Sequence, residues 1–151
     1  MPWEADELHV DPFTAIGDRL EKNAVREAIE RLPDAQQREV LRLIYVDGLP
    51  PMEVCKIVRR DKPRVSRIHQ AGIETVQKLL LLGSALEKER VELSVGHLSE
   101  PSQREVLLAL YRDRLDYRSA RSEFGVNAKE LNELHQAALD ALIEGLAPTT
   151  S

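Results

Sequence analysis

The stretch Lys56–Arg67 sets six cations, Lys56, Arg59, Arg60, Lys62, Arg64 and Arg67, against one acid, Asp61, a local charge of +5 in a chain of net charge −5. Cations gathered so closely can neutralise successive phosphates of a nucleic-acid backbone and release their counterions. Arginine and glutamine can also pair bidentately with base edges, arginine with guanine and glutamine with adenine. If a helix begins at Lys62-Pro63, Val65 and Ile68 turn inward; Lys62, Pro63, Ser66, Arg67 and Gln70 face out, with Arg64 flanking them. On that face Arg67 is the candidate for a guanine contact, and Lys62 and Gln70 are further base-edge candidates. Arg59, Arg60 and Arg64 suit phosphate contacts that fix register. Most charged helix faces are merely solvated, so the placement of this one decides its meaning.

The elements that would position it are helical. Proline at the first turn of a helix is tolerated because its missing N–H has no intrahelical acceptor, and Asp61 can cap the same helix. Upstream, Pro50-Pro51 starts a short helix expected to bury Met52, Val54, Ile57 and Val58 and to break at Arg59-Arg60. Before that, Val40, Leu41, Ile44 and Tyr45 form the apolar stripe of a helix ending near Asp47-Gly48. Asp11-Pro12 reads as the start of a leading helix through Phe13, Ile16, Leu20, Val25, Ile29 and Leu32. A short helix, a tight turn and a second helix with a polar, cationic start is the arrangement that presents a helix N-terminus to the DNA major groove.

The same plan occurs twice. Gln37–Leu49 (QREVLRLIYVDGL) recurs as Gln103–Leu115 (QREVLLALYRDRL), and His69–Val76 (HQAGIETV) as His135–Leu142 (HQAALDAL), both at an offset of 66 residues. Laying Leu32–Leu80 on Leu98–Leu146 without a gap gives thirteen identities in forty-nine positions; unrelated sequences of this composition would share roughly three. The second copy is expected to form helices at Pro101–Arg112, Tyr117–Glu123 and Ala128–Gly145, with Gly125 in a left-handed turn and Asn127 and Glu130 forming a capping box. Its counterpart of the basic stretch, Ser122–Glu133, sets Lys129 against Glu123, Glu130 and Glu133, a charge of −2. One scaffold with two different surfaces is implied. The expected organisation is a flexible segment 1–12, a first unit at 13–82, a helical linker at 83–97, a second unit at 98–146 and a tail at 147–151.

Composition supports an all-α fold: apolar residues make up 42% of the chain and aromatic residues 4%, with seven glycines and eight prolines. Cys55, the single cysteine, cannot form an internal disulfide, and no secretion signal or membrane-spanning segment appears, so a soluble cytoplasmic protein is expected. His69 and His135 hold equivalent positions, and neither lies at a metal-ligand spacing from a cysteine or carboxylate. Glycine-rich phosphate loops and nucleophile elbows are absent. The expectation is a protein without metal or cofactor and without enzymatic activity.

From about Arg31 to Leu80 the chain resembles region 4 of bacterial sigma factors, the flagellar-type branch above all. RLPDAQQREVLRLIYVDGL is similar to the family's opening helices, and MEVCKIV and RVSRIHQAGI to its turn and recognition helix. The resemblance implies binding of duplex DNA at a minus-35-like element, with Lys62, Pro63 and Arg67 facing bases and Arg64 and Ser66 close to the backbone. It also implies docking on the beta flap of RNA polymerase through Val40, Leu41, Ile44 and Leu49. Arg59 stands where the family usually has a small residue, and Pro63 where a polar base-reading residue is common. No counterpart of the minus-10-binding domain is visible in the chain. The second copy resembles the same domain with Glu130, Asn132 and Glu133 in place of Arg64, Ser66 and Arg67. The reading is a transcription regulator that binds DNA through the first copy and contacts polymerase, another protein or a second chain in a homodimer through the second. The alternative is a sigma mimic or anti-sigma-type interaction protein that binds no DNA.

Overall fold

The computed structural model describes residues 19–146, and every regular element among them is helical. The expected helix start at Asp11-Pro12, the positions Phe13 and Ile16, the flexible segment 1–12 and the tail at 147–151 lie outside the described residues. Eight α-helices follow in order: α1 (Arg19–Glu30), α2 (Ala35–Leu41), α3 (Pro51–Val58), α4 (Lys62–Leu82), α5 (Val91–Val95), α6 (Pro101–Leu107), α7 (Tyr117–Phe124) and α8 (Ala128–Leu146). The chain divides into two compact units, Met1–Val76 and Gln77–Ser151, with the boundary inside α4.

In the first unit, α1 buries Val25, Ala28 and Ile29, the i, i+3, i+4 stripe of an amphipathic helix. Asp34 caps α2, its carboxylate accepting the Gln36 and Gln37 N–H groups at 2.9 and 3.2 Å. Beyond Leu41 the helix widens into one π-helical turn, Arg42–Val46, and Gly48 at φ +70° ends it. Val40 and Ile44 then meet Val54 of α3 and Val65 and Ile68 of α4 in a single cluster. Within α4, Gly72 permits close approach: a Cβ there would lie 3.0 Å from Leu41 Cδ1.

The second unit repeats this at the 66-residue offset, element by element. Helices α6 and α7 begin and end at the counterparts of α2 and α3, α8 begins at the counterpart of α4, and the π turn recurs at Leu108–Arg112. Arg38 donates to the Leu32 carbonyl at 2.6 Å and Arg104 to the Leu98 carbonyl at 2.5 Å, tying each second helix to the chain that enters it. The repeat also reaches further upstream than Leu98. Val91 and Val95 of α5 stand at the offset from Val25 and Ile29 of α1, and both are buried. The stretch 83–97, expected as a linker, thus supplies core residues of the second unit.

Two expectations for the first core are corrected. Val54 is buried and Val58 half-buried, but Met52 and Ile57 are 60% and 48% exposed. At 100° per residue Val54 and Val58 share the inward stripe of an eight-residue helix, and Met52 and Ile57 fall outside it.

Candidate nucleic-acid interface

Three residues, Arg59–Asp61, separate α3 from α4. Arg59 closes α3 in the left-handed conformation (φ +58°, ψ +46°), its N–H donating to the Cys55 carbonyl. Asp61 then caps α4: its Oδ1 accepts the Arg64 N–H at 3.0 Å. Val65 is fully buried and Ile68 nearly so, which rolls the opposite side of the helix outward. On that side Arg64, Arg67 and Gln70 stand out with Pro63, while Lys62 and Ser66 lie closer in; Arg59 and Arg60 are exposed in the turn. The eight residues singled out in the sequence thus come together on one turn and one helix face. Gln70 donates to Glu74 at 3.3 Å, one helical turn further on.

The electrostatics of this face run against the stability of the helix that carries it. A helix N-terminus bears roughly half a positive charge, so acidic side chains stabilise the first turn and cations destabilise it, each by about 0.3–1 kcal/mol. The first turn of α4 contains Lys62 and Arg64 and no acid. The first turn of α8 contains Glu130, whose carboxylate accepts the Asn127 N–H at 3.0 Å while Asn127 Oδ1 accepts the Glu130 N–H at 2.8 Å, the expected capping box. The two helix starts therefore differ in balance: α4 sets the Asp61 carboxylate at its cap against Lys62 and Arg64, and α8 has neutral Asn127 at its cap with Glu130 beside Lys129. Cations added to a helix N-terminus build a strongly positive spot suited to phosphate.

No family model, no curated protein and no solved structure matches the chain.

The residues expected to dock on the polymerase flap have a different place. Val40, Leu41 and Ile44 are buried in the first unit's own core, and Leu49 is half-buried against it. They hold α2 and its π turn onto α3 and α4, so their side chains are not presented to a partner in this conformation. The solvent-facing large apolar residues of the turn's own neighbourhood are instead Met52 and Ile57 on α3.

The structure also joins residues that the sequence reading kept apart. Tyr45 of the first π turn hydrogen-bonds His69 Nε2 at 2.7 Å, and Tyr111 of the second hydrogen-bonds His135 Nε2 at 2.7 Å. In the second unit Tyr117 adds a 2.5 Å bond to His135 Nδ1. Burial holds both imidazoles neutral, lowering His69 to about 4 and His135 to about 3, with the Lys78 ammonium adding to the effect at His135. Lys78 in turn pairs with Asp140 at 2.9 Å and donates to Gln136 at 2.6 Å. The signal for these pairs was present, since tyrosine and histidine recur together at the same spacing in both copies. Among the described residues no group of three or more His, Cys, Asp or Glu side chains is placed to share a metal ion, and no helix is long and apolar enough to cross a membrane.

Proposed function

We propose that this chain is a cytoplasmic transcription regulator similar to sigma factor region 4, which binds duplex DNA through the Lys62–Gln70 face of α4 and a protein partner, RNA polymerase or a second chain, through its second unit. The observation that carries the proposal is the difference between two equivalent helix starts. Arg64 and Arg67 stand exposed where the second unit has Glu130 and Glu133, and α4 accepts cations at its N-terminus at a cost in stability. Entering the major groove, Arg67, Lys62 and Gln70 would meet base edges while Arg59, Arg60 and Arg64 meet phosphates. With Pro63 among the outward residues, sequence preference falls on Arg67 and Gln70. The proposed role involves no catalysis and no cofactor.

Fluorescence anisotropy with a labelled minus-35-like duplex at physiological salt tests this. Arg64→Ala combined with Arg67→Ala should weaken binding at least about a hundredfold, from one lost base contact and one lost phosphate contact, and Lys129→Ala should leave it unchanged. Equal binding by the double variant and the wild type would reject the proposal. The second reading, a sigma mimic that binds no DNA, draws on the net charge of −5 and on Met52 and Ile57 exposed beside the basic turn. Capture by isolated beta flap with no duplex binding would favour it.

A further inference from the structure

Two positions of the repeat take left-handed backbone in both units, and each carries glycine in one unit and arginine in the other. After the π turn the pair is Gly48 (φ +70°) and Arg114 (φ +61°); after the following helix it is Arg59 (φ +58°) and Gly125 (φ +65°). The second position makes the same backbone bond in each unit, Arg59 N–H to the Cys55 carbonyl and Gly125 N–H to the Arg121 carbonyl. The fold therefore demands the conformation, and glycine meets it without the Cβ clash that any other residue brings. Asparagine and aspartate tolerate it next best through short local hydrogen bonds, which arginine does not make. Among the described residues the Arg59 guanidinium has no ion pair or hydrogen bond; the local bond runs from Arg60 Nη1 to the Arg59 carbonyl at 3.3 Å. An exposed arginine held in disfavoured backbone, where the twin unit shows that glycine serves, brings the fold no benefit, and Arg59 and Arg114 share that condition, so their different settings separate them.

We infer that Arg59 is a positioning residue that clamps a backbone phosphate of the bound duplex, fixing the register at which α4 meets the bases. The inference rests on the proposed function and assigns one residue's part in it. The turn sets Arg59 three residues before α4, between Lys56 and Arg60, and its planar guanidinium can grip two phosphate oxygens at once. Arg114 carries the same strain without the setting: it lies in the loop before α7, between Asp113 and Asp116, in the unit whose helix start is acidic. It is the built-in control.

Three variants of the full chain, Arg59→Gly, Arg59→Lys and Arg114→Gly, are compared by thermal unfolding and by duplex affinity across a salt series. Both glycine variants should unfold at or a few degrees above the wild-type temperature, because each relieves a left-handed side chain. Arg59→Gly should bind duplex about fivefold more weakly, with a log–log salt slope flatter by about 0.9, the share of one phosphate contact. Arg59→Lys should keep the slope, since it keeps the charge, and Arg114→Gly should keep both affinity and slope. Wild-type affinity and slope in Arg59→Gly, with the wild type itself binding, would overturn this inference alone; an unfolding temperature lowered by Arg59→Gly would overturn the strain argument. A wild-type chain that binds no duplex would overturn the proposed function and this inference together.

Discussion

The two units share a backbone plan down to a π turn, a tyrosine–histidine pair and two left-handed residues, yet they use their surfaces differently. In the first, cations crowd the turn and the start of α4; in the second, the same positions hold Gly125, Glu130 and Glu133, and the helix start is closed by a capping box. Each unit has glycine at one left-handed position and arginine at the other, and the second adds a reciprocal capping box and a third ring bonded to its histidine. The first departs from the second at Arg59, Lys62, Arg64 and Arg67. The proposed function rests on this patch, where the duplication keeps its core and changes its surface charge.

The largest expected effect is on acid stability. His69 and His135 titrate near 4 and 3 in the folded protein and near 6.5 in an unfolded chain. The unfolded chain therefore binds more protons below pH 6.5, so stability is full above that pH and falls as the pH drops towards 4 for His69 and 3 for His135. Each histidine contributes a slope of about 1.4 kcal/mol per pH unit in its window. Denaturant melts from pH 7 to about 3 should show the loss, with the second unit's fall continuing below pH 4 where the first unit's levels off. A flat profile would mean that the imidazoles are not held neutral.

A smaller effect separates the two helix crossings. Ala138 is fully buried at the counterpart of Gly72. Ala138→Gly should destabilise by about 2 kcal/mol, from one lost buried methyl and the lower helix propensity of glycine. Gly72→Ala gains that propensity but pushes a Cβ to 3.0 Å from Leu41 Cδ1, so the two terms nearly cancel and the net change should stay within about 1 kcal/mol. Equal and opposite changes in urea melts would show that the two crossings are packed alike.

Smaller again is the difference between the tyrosines. Tyr111 is buried and Tyr45 half-buried. Tyr111→Phe strands a buried imidazole nitrogen and should lower stability by about 1–2 kcal/mol in urea melts; Tyr45→Phe, where water can reach the site, should lower it by less than about 1 kcal/mol.

Much of this was legible in the residues. Prolines, caps and apolar spacing located α2, α3, α4, α6, α7 and α8, because helix starts carry local chemistry: Asp34, Pro51, Asp61, Pro101 and Asn127 all stand at or beside one. The outward side of α4 followed from the spacing of Val65 and Ile68. The π turns were not legible, since a widened turn leaves the apolar pattern of Val40, Leu41 and Ile44 almost unchanged. The tyrosine–histidine pairs join residues 24 apart in sequence, a tertiary relation that no local rule supplies. The expected docking side failed for a related reason: an apolar stripe reads the same whether it meets a partner or its own core, and for Val40, Leu41 and Ile44 it is the core. The second unit's upstream helix was expected only as part of a helical linker: Leu20-Glu21-Lys22 and Val25 match Leu86-Glu87-Lys88 and Val91 by identity at the same offset, but this match lies upstream of the stretch Leu98–Leu146 that defined the second copy.

The most direct test gives the first unit the second unit's charge. Arg64→Glu with Arg67→Glu should fold at least as stably as the wild type, because the first of these changes puts a carboxylate in the first turn of α4 where Glu130 stands in that of α8. Its duplex affinity, measured by anisotropy over a salt series, should fall to background at every salt concentration. Retained, salt-dependent duplex binding by this folded variant would contradict the claim that the cationic face of α4 is the functional surface.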